Sequence, residues 1–426
     1  MHQFFNIPIS QYPNIKWANT TNNKTMQAYI VDGIRTAIGN FGGSLSPVRA
    51  DDLAALVLKV LVAQNPNIPP EQIDDVILGC VNQAGDDNRN VARMALLLAG
   101  IPYTVPGETV NRLCASGMSA VINAARAIQS GDGDIFIAGG VENMTRGPWV
   151  ISKTNKAFGN DAQMYDSSFG WRFINPVMHA LYGTDAMGVT AENLADAYHI
   201  GREEQDLFAY HSQMKAASAE RSGRLAAEIT VVEISSKKNE NSFFAKDEFI
   251  KPNTQVEKLA QLKPAFKKEN GTVTAGNSSG LNDGAAAMYI VSEEALKKYN
   301  LKPKARIISS AVVGVEPRIM GIGPVNATKK ALAKAGLALA DMDIIELNEA
   351  FAAQSIACLK ALGLQNDDPR VNPNGGAIAL GHPLGMSGTR IINTATIELQ
   401  KQNKKYALAT MCIGVGQGYA VVLEKV

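Results

Sequence analysis

The chain has 426 residues, with 41 Lys and Arg against 40 Asp and Glu and a net charge of +1. A hydrophobic share of 46% beside 19% charged residues excludes wholesale disorder and supplies core for two or three domains. The balanced charge gives no global field for nucleic acid, and no apolar run approaches the ~20 residues that span a bilayer, so a soluble protein with no membrane partner is expected.

Residues 1–25 are rich in Asn, Gln and Thr and lack a basic segment followed by an apolar one, so they read as a disordered extension rather than a secretory signal. Ala28–Val31 then reads as a short strand. Asp51–Gln64 reads as a helix, with Leu53, Leu56, Val57, Val60 and Leu61 spaced near 3.6 residues. Val76–Gly79 is a second strand, Ala115–Gln129 a helix of small residues, and Asp134–Gly140 an apolar strand. This βα alternation predicts a mainly parallel sheet flanked by helices. From about Thr145 to Thr274 the texture changes to scattered aromatics, irregular Gly and Pro, and a charged run from Ser235 to Lys268. One clear helix, Arg202–Ser222, lies inside what reads as a large insertion covering one end of the core. The βα texture returns with strands Ala287–Val291 and Ala305–Val313, helix Val325–Ala335, strand Ile344–Leu347, helices Ala350–Leu362 and Gly388–Gln400, and strand Tyr406–Met411. The first and last thirds look alike, which suggests a pseudo-duplicated α/β fold.

Four segments crowd small residues around one reactive side chain. In Asn111-Arg112-Leu113-Cys114-Ala115-Ser116-Gly117-Met118, Cys114 opens a helix, where free N–H groups favour a thiolate, and Ala115, Ser116 and Gly117 leave room for substrate. The competing role is a buried inert thiol. In the glycine-rich run Asn374–Gly385, His382 stands between Gly381 and Pro383, offering a base near neutral pH; a structural histidine is the alternative. Met411-Cys412-Ile413-Gly414-Val415-Gly416-Gln417-Gly418 puts a second thiol at a strand end, beside glycine N–H groups that can face a negative oxygen. It lacks the spacing of a dinucleotide fingerprint. Asn348, at a strand-to-helix junction, could orient water or a carbonyl, or could cap the helix. All four lie at such junctions, where ligands of α/β sheets bind. A thiol nucleophile, a histidine, a second thiol and N–H donors suit acyl transfer through a thioester. Cys80, Cys114, Cys358 and Cys412 are too far apart in sequence for a disulfide framework or a metal motif, so reduced thiols in a cytoplasmic setting and no metal are expected.

The segments Asn111–Met118, Thr274–Gly284, Asn348–Ala352, Gly375–Gly385 and Cys412–Gly418, in order between about Gln27 and Val426, resemble the thiolases, the acetyl-CoA acyltransferases. That resemblance implies two βαβαβαββ halves in a layered α-β-α-β-α core with an inserted loop domain. The halves would span 26–145, completed by about 276–296, and 297–426, with a CoA-binding insertion over 146–275. It implies Cys114 as the acyl-accepting nucleophile, His382 as its base and Cys412 as the group exchanging a proton with the acetyl α-carbon. Asn348 would hold a water that forms one oxyanion hole with His382, and the N–H groups of Cys114 and Gly414 would form the other. Ser279, Ala275, Phe351 and Met320 would bind CoA, which is a substrate; no cofactor would be required, and a homotetramer built as a dimer of dimers is implied.

Two departures from the common acetoacetyl-CoA enzymes stand out: Ala186 replaces a histidine before Met187-Gly188-Val189-Thr190, and Val415 replaces the usual glycine of the last motif. With Gly170–Pro176 and Asn82–Asn90 they look like the thiolases of aromatic-acid catabolism that cleave 3-oxoadipyl-CoA to succinyl-CoA and acetyl-CoA. A substrate with a terminal carboxylate would be helped by an arginine, and Arg172 or Arg89 is the candidate, structural pairing with acids being the alternative. The rival activities are a general acetyl-CoA C-acetyltransferase or 3-ketoacyl-CoA thiolase of fatty-acid oxidation and, from another class, a non-catalytic acyl-CoA binding protein.

Overall fold

The computed structural model describes residues 26–234 and 242–426, so the extension expected over 1–25 and part of the charged run after Ser235 lie outside the described residues. The first half contains β1 (Ala28–Thr36), α1 (Ala50–Gln64), β2 (Asp75–Gly79), α2 (Val91–Leu98), β3 (Gly107–Val110), α3 (Ser116–Ser130) and β4 (Ile135–Asn143), and is completed by β5 (Asn282–Ser292). The second contains β6 (Ala305–Gly314), α4 (Gly323–Ala335), β7 (Ile344–Leu347), α5 (Ala352–Leu362), α6 (Leu384–Lys401), β8 (Tyr406–Ile413) and β9 (Gln417–Lys425).

These nine strands form one sheet path, β7-β8-β9-β6-β1-β5-β4-β2-β3. Numbered by chain order within its half, the first half runs 3-2-4-5-1 from its outer edge to β1. The second repeats that order toward β6, its third strand reduced to a parallel bridge between Ile345 and Val371. The halves join edge to edge where Tyr29 pairs with Arg306 and Ile30 with Ala305. The expected mainly parallel sheet is corrected to a mixed one. The pairs β2–β3, β2–β4 and β7–β8 are parallel, whereas β4–β5, β1–β5, β6–β9 and β8–β9 are antiparallel. A strand can reverse beside its predecessor when the connection is a short turn, as at Gly414–Gly416, or a long excursion, as between β4 and β5.

Alternation along the strands builds the layers. Leu78, Ile137 and Tyr289 face an outer core with α1 and α2, while Ile77, Phe136 and Ile290 face a central one with α3 and α6. In the second half Leu408, Ala420 and Val422 face α4 and α5, and Ala407, Val421 and Leu423 face the same central core. The result is α-β-α-β-α, with α3 and α6 sandwiched in the middle. Glycine makes this possible at two positions. A Cβ on Gly117 of α3 would fall 2.5 Å, and one on Gly140 of β4 1.9 Å, from the carbonyl oxygen of Gly385 in α6. Only a residue without a side chain lets the two helix starts meet there.

Between β4 and β5 the chain forms a hairpin of Trp149–Ile151 and Met164–Asp166, helices Pro176–Tyr182 and Met187–Tyr198, the expected long helix, here Arg202–Arg221, and a short helix Val256–Ala260. The sequence reading saw one helix in this stretch. The others are short or, like Met187–Tyr198, bury small and polar residues (Gly188, Thr190, Glu192), so their periodicity is weak. No helix among the described residues is long and apolar enough to cross a membrane.

Candidate active site

Cys114 sits in the turn that enters α3, partly buried. Leu113 before it takes a left-handed backbone (φ 48°). The turn closes on itself: the Ser116 hydroxyl donates to the Leu113 carbonyl (2.6 Å) and accepts from the Arg112 N–H (2.9 Å). The Asn111 side chain accepts the Leu113 N–H (2.9 Å) and donates to the Val81 carbonyl (3.1 Å), anchoring the turn to the segment after β2. Ala115, Ser116 and Gly117 are fully buried, so the expectation that they leave room for substrate is corrected: the space they free admits the backbone of α6. The expected acidification of the thiol is also reversed. Burial pushes the Cys114 thiol up, the N–H groups of Gly414 and of Cys114 itself pull it back, and the Glu142 carboxylate raises it further.

His382 is buried on the loop entering α6. Its Nδ1 lies 2.6 Å from the Ser387 hydroxyl, which donates its own proton to the Pro383 carbonyl (2.8 Å). That hydroxyl therefore accepts from Nδ1–H, and the lone pair is left on Nε2. The His382 backbone N–H donates to the Asn282 side chain (2.9 Å), which donates in turn to the Gly39 carbonyl (3.0 Å) and ties the loop to the first half. Burial first, and the buried Arg390 guanidinium second, push the imidazole down to about 3, so it is neutral across the physiological range. Asn348 Nδ2 is 3.4 Å from His382 Nε2. Since α5 begins at Ala352 and is entered through Phe351, the capping role considered for Asn348 is excluded. Its Oδ1 is buried without a hydrogen-bond partner, which marks a place for water or another donor.

Cys412 is the penultimate residue of β8, fully buried and paired with Gly418. Burial, and then the neighbouring Cys114 and Cys358, hold its thiol well above the ordinary range, so it stays protonated. The structure thus groups Cys114 with Cys412 and the Gly414 N–H, and His382 with Asn348; the helices that Cys114 and His382 precede touch at Gly117 and Gly385.

Of the four expected CoA contacts, Ala275 lines a cleft of about 590 Å³ together with Gly276, Phe249, Lys251, Lys258 and Leu259. The Ser279 N–H donates to the Ala350 carbonyl (3.0 Å), next to Phe351, whose ring meets Phe266 edge-on at 6.3 Å. Met320 is buried in the same apolar cluster as Phe351. The two arginines differ. Arg172 donates to the Ser167 carbonyl (3.2 Å), the same oxygen that accepts from Asn82 (3.2 Å), so the segments 170–176 and 82–90 do meet. Arg89 is exposed and left-handed (φ 60°). Neither has an acidic partner among the described residues, so the structural-pairing alternative fails for both.

Three supporting residues were missed in the sequence: Ser387, Asn282 and Glu142. The Glu142 carboxylate, buried in β4, accepts N–H bonds from Val81 (3.1 Å), Asn82 (3.0 Å) and Gly385 (2.9 Å), and burial pushes it up to about 7. Ser387 carried a signal, one helical turn beyond His382; the backbone donors that hold Glu142 carry none.

A thiolase N-terminal domain model matches residues 28–294 and a thiolase C-terminal domain model residues 301–425. A beta-ketoadipyl-CoA thiolase of Escherichia coli is 57% identical over 400 residues, covering 94% of this chain and 100% of that protein. The 3-oxoadipyl-CoA/3-oxo-5,6-dehydrosuberyl-CoA thiolase of Escherichia coli (strain K12) is likewise 57% identical over 94% of this chain and 100% of its own. The crystal structure of the Bacillus anthracis acetyl-CoA acetyltransferase superposes with a TM-score of 0.88 at 40% identity, over 95% of this chain and 100% of that one.

Proposed function

We propose, for a chain that belongs to the thiolase family of acyltransferases, that its reaction is the CoA-dependent cleavage of 3-oxoadipyl-CoA to succinyl-CoA and acetyl-CoA. The observation that carries the substrate is the 57% identity, over the full length of the relatives, to enzymes named for that acyl chain, against 48% and 40% to acetyl-CoA acetyltransferases.

At rest Cys114 is a thiol and His382 a neutral imidazole. The Cys114 sulfur attacks the 3-oxo carbon while His382 Nε2 takes the thiol proton; neither group need be charged before the substrate arrives. The bond between C2 and C3 then breaks, leaving succinyl on Cys114 and the enolate of acetyl-CoA. Cys412, held protonated, gives its proton to the enolate carbon. The thiol of a second CoA returns a proton to Cys412 and attacks the thioester; Cys114 leaves and recovers its proton from His382. The N–H groups of Gly414 and Cys114 face one developing oxyanion, and water at Asn348 with His382 the other; losing such a donor typically costs ~10²–10³ in rate. CoA enters as substrate through the cleft at Ala275 and Gly276, with Lys251 and Lys258 at hand for its phosphates and Ser279, Phe351 and Met320 along its arm; no further cofactor has a step. Of the two arginines, the part-buried Arg172 is favoured over the exposed Arg89 for the substrate carboxylate.

The same proposal includes a cytoplasmic homotetramer. The hairpin bearing Trp149, Ile151 and Met164 shows these side chains largely to solvent, and β3 is a free sheet edge; both suit contact with further copies. The deciding assay is CoA-dependent cleavage of 3-oxoadipyl-CoA beside acetoacetyl-CoA, with Cys114→Ala as control. Preference for the dicarboxylate, abolished in the control, is expected. Preference for acetoacetyl-CoA would keep the mechanism and discard the substrate, and binding without turnover would discard both.

A further inference from the structure

Val415 is a β-branched residue in a left-handed backbone (φ 62°), a region such side chains avoid because Cβ crowds the chain. It is the middle of the three-residue turn Gly414–Gly416 that joins β8 to β9, closed by the pair Ile413 and Gln417. Its conformation cannot relax. On one side the Gly414 N–H is aimed at the Cys114 sulfur, and on the other the Gly416 carbonyl accepts the Val315 N–H (2.8 Å). Glycine would remove the crowding without disturbing either bond. Packing within the chain leaves the side chain 37% exposed. The residue before it in the turn, Gly414, has two apolar neighbours: Leu113 and Met187 reach within 3.4 and 3.7 Å of the point where a Cβ there would lie. Strain kept at a functional turn, with an apolar group left partly bare beside the nucleophile, points to contact with something outside the chain.

We propose that Val415 is a specificity-determining residue, strained in order to lay its side chain against the methylenes beyond the 3-oxo carbon of the acyl chain. This deepens the substrate assignment above and rests on it for the position of the chain, but the contact is with carbons 4 and 5, not with the terminal carboxylate. The two assignments therefore separate experimentally.

The test compares kcat/KM for 3-oxoadipyl-CoA, 3-oxohexanoyl-CoA (the same length without the carboxylate) and acetoacetyl-CoA in the wild type, Val415→Gly and Val415→Ala, with thermal unfolding of each protein. Removing a methylene-scale contact changes discrimination by ~10-fold or more. Val415→Gly is expected to lower kcat/KM for both six-carbon substrates by about 10-fold, leave acetoacetyl-CoA within about threefold, and unfold at the same or a higher temperature. Val415→Ala is expected to lose selectivity in the same direction. An unchanged ratio of six-carbon to four-carbon substrate in Val415→Gly overturns the proposal. So does full selectivity in Val415→Ala, which would make turn mobility the cause, or a clearly lower unfolding temperature for Val415→Gly. A wild type that cleaves 3-oxohexanoyl-CoA but not 3-oxoadipyl-CoA would refute the dicarboxylate assignment alone, and the Val415 ratios would still be read on the remaining pair.

Discussion

Replacing Ser387 by alanine removes the one acceptor that fixes the proton of His382 on Nδ1. The contact is short (2.6 Å) and fully buried, and no water can substitute without a cavity. In the variant the imidazole has two choices. It can keep Nδ1–H buried without a partner, which costs ~1–3 kcal/mol. It can also shift the proton to Nε2, where the orphaned Asn348 Oδ1 is available as acceptor after an amide flip. The second choice is the more stable and carries no lone pair toward Cys114. The active tautomer then lies ~1–3 kcal/mol above the ground state, so kcat for thiolysis should fall by about 5- to 150-fold. KM for CoA should hold, because the cleft at Ala275 and Gly276 is untouched. Iodoacetamide labelling of Cys114 at neutral pH should slow as well, since the same imidazole must take the proton. Steady-state kinetics with labelling followed by mass spectrometry measures both. A kcat within threefold of wild type, in a protein that unfolds at the wild-type temperature, would refute the assignment of the tautomer to this bond.

Three further outcomes follow from the same geometry. Because His382 is depressed to about 3 in the folded chain and titrates near its ordinary 6.5 when unfolded, the unfolded chain binds more protons between those values. Stability should therefore fall as pH drops below 6.5, by up to ~1.4 kcal/mol per pH unit from this residue. His382→Asn should show a shallower acid loss in urea unfolding at pH 7 and 5, and equal slopes would contradict the depressed pKa. Glu142→Gln removes a carboxylate that raises the Cys114 thiol, so the pH profile of Cys114 alkylation should move to lower pH even as the loss of charged N–H acceptors lowers stability by ~1–3 kcal/mol; an unmoved profile would leave Glu142 a purely structural role. Arg172→Ala should raise KM for 3-oxoadipyl-CoA by about tenfold while leaving acetoacetyl-CoA unchanged, and parallel changes for both substrates would remove Arg172 from carboxylate recognition.

What the sequence made legible was whatever expresses itself in side-chain pattern. Strand Ile344–Leu347 was placed to the residue because four apolar or buried positions end at Asn348, and the end of α4 at Ala335 because Gly336 follows in the left-handed region. Cys114, His382 and Cys412 were visible as reactive groups among glycines. Strand direction was not visible, since a buried strand reads the same whether its neighbour runs with it or against it. Nor were the pKa directions: the helix start at Cys114 is a local cue for a thiolate, but the desolvation that outweighs it comes from other segments packed around it, β4 and the distant α6 and β8. Asn282 and Glu142 were missed for the same reason: each works through backbone groups of another segment, and these leave no trace in a sequence. Ser387, about one turn past His382, did carry a signal.

The duplication explains why these groups meet at all. Central helices α3 and α6 are the counterparts of each other in the two halves, and their first turns are pressed together through Gly117 and Gly385. Cys114 lies just before one of these helices and His382 just before the other, so a single packing contact between equivalent elements brings together the two residues that the proposed mechanism uses as nucleophile and base. The fourth strands are counterparts too. Glu142 is the penultimate residue of β4 and pairs with Gly284; Cys412 is the penultimate residue of β8 and pairs with Gly418. Each half thus places a buried acid at the same point of its sheet, next to the same two helix starts. In the first half that acid is a carboxylate that accepts three N–H donors and, besides holding the frame, raises the Cys114 thiol. In the second it is a thiol that only its own N–H is seen to approach and that burial holds protonated, as the proposed mechanism requires. The asymmetry of the chemistry lies in these two side chains, on a backbone that is otherwise repeated.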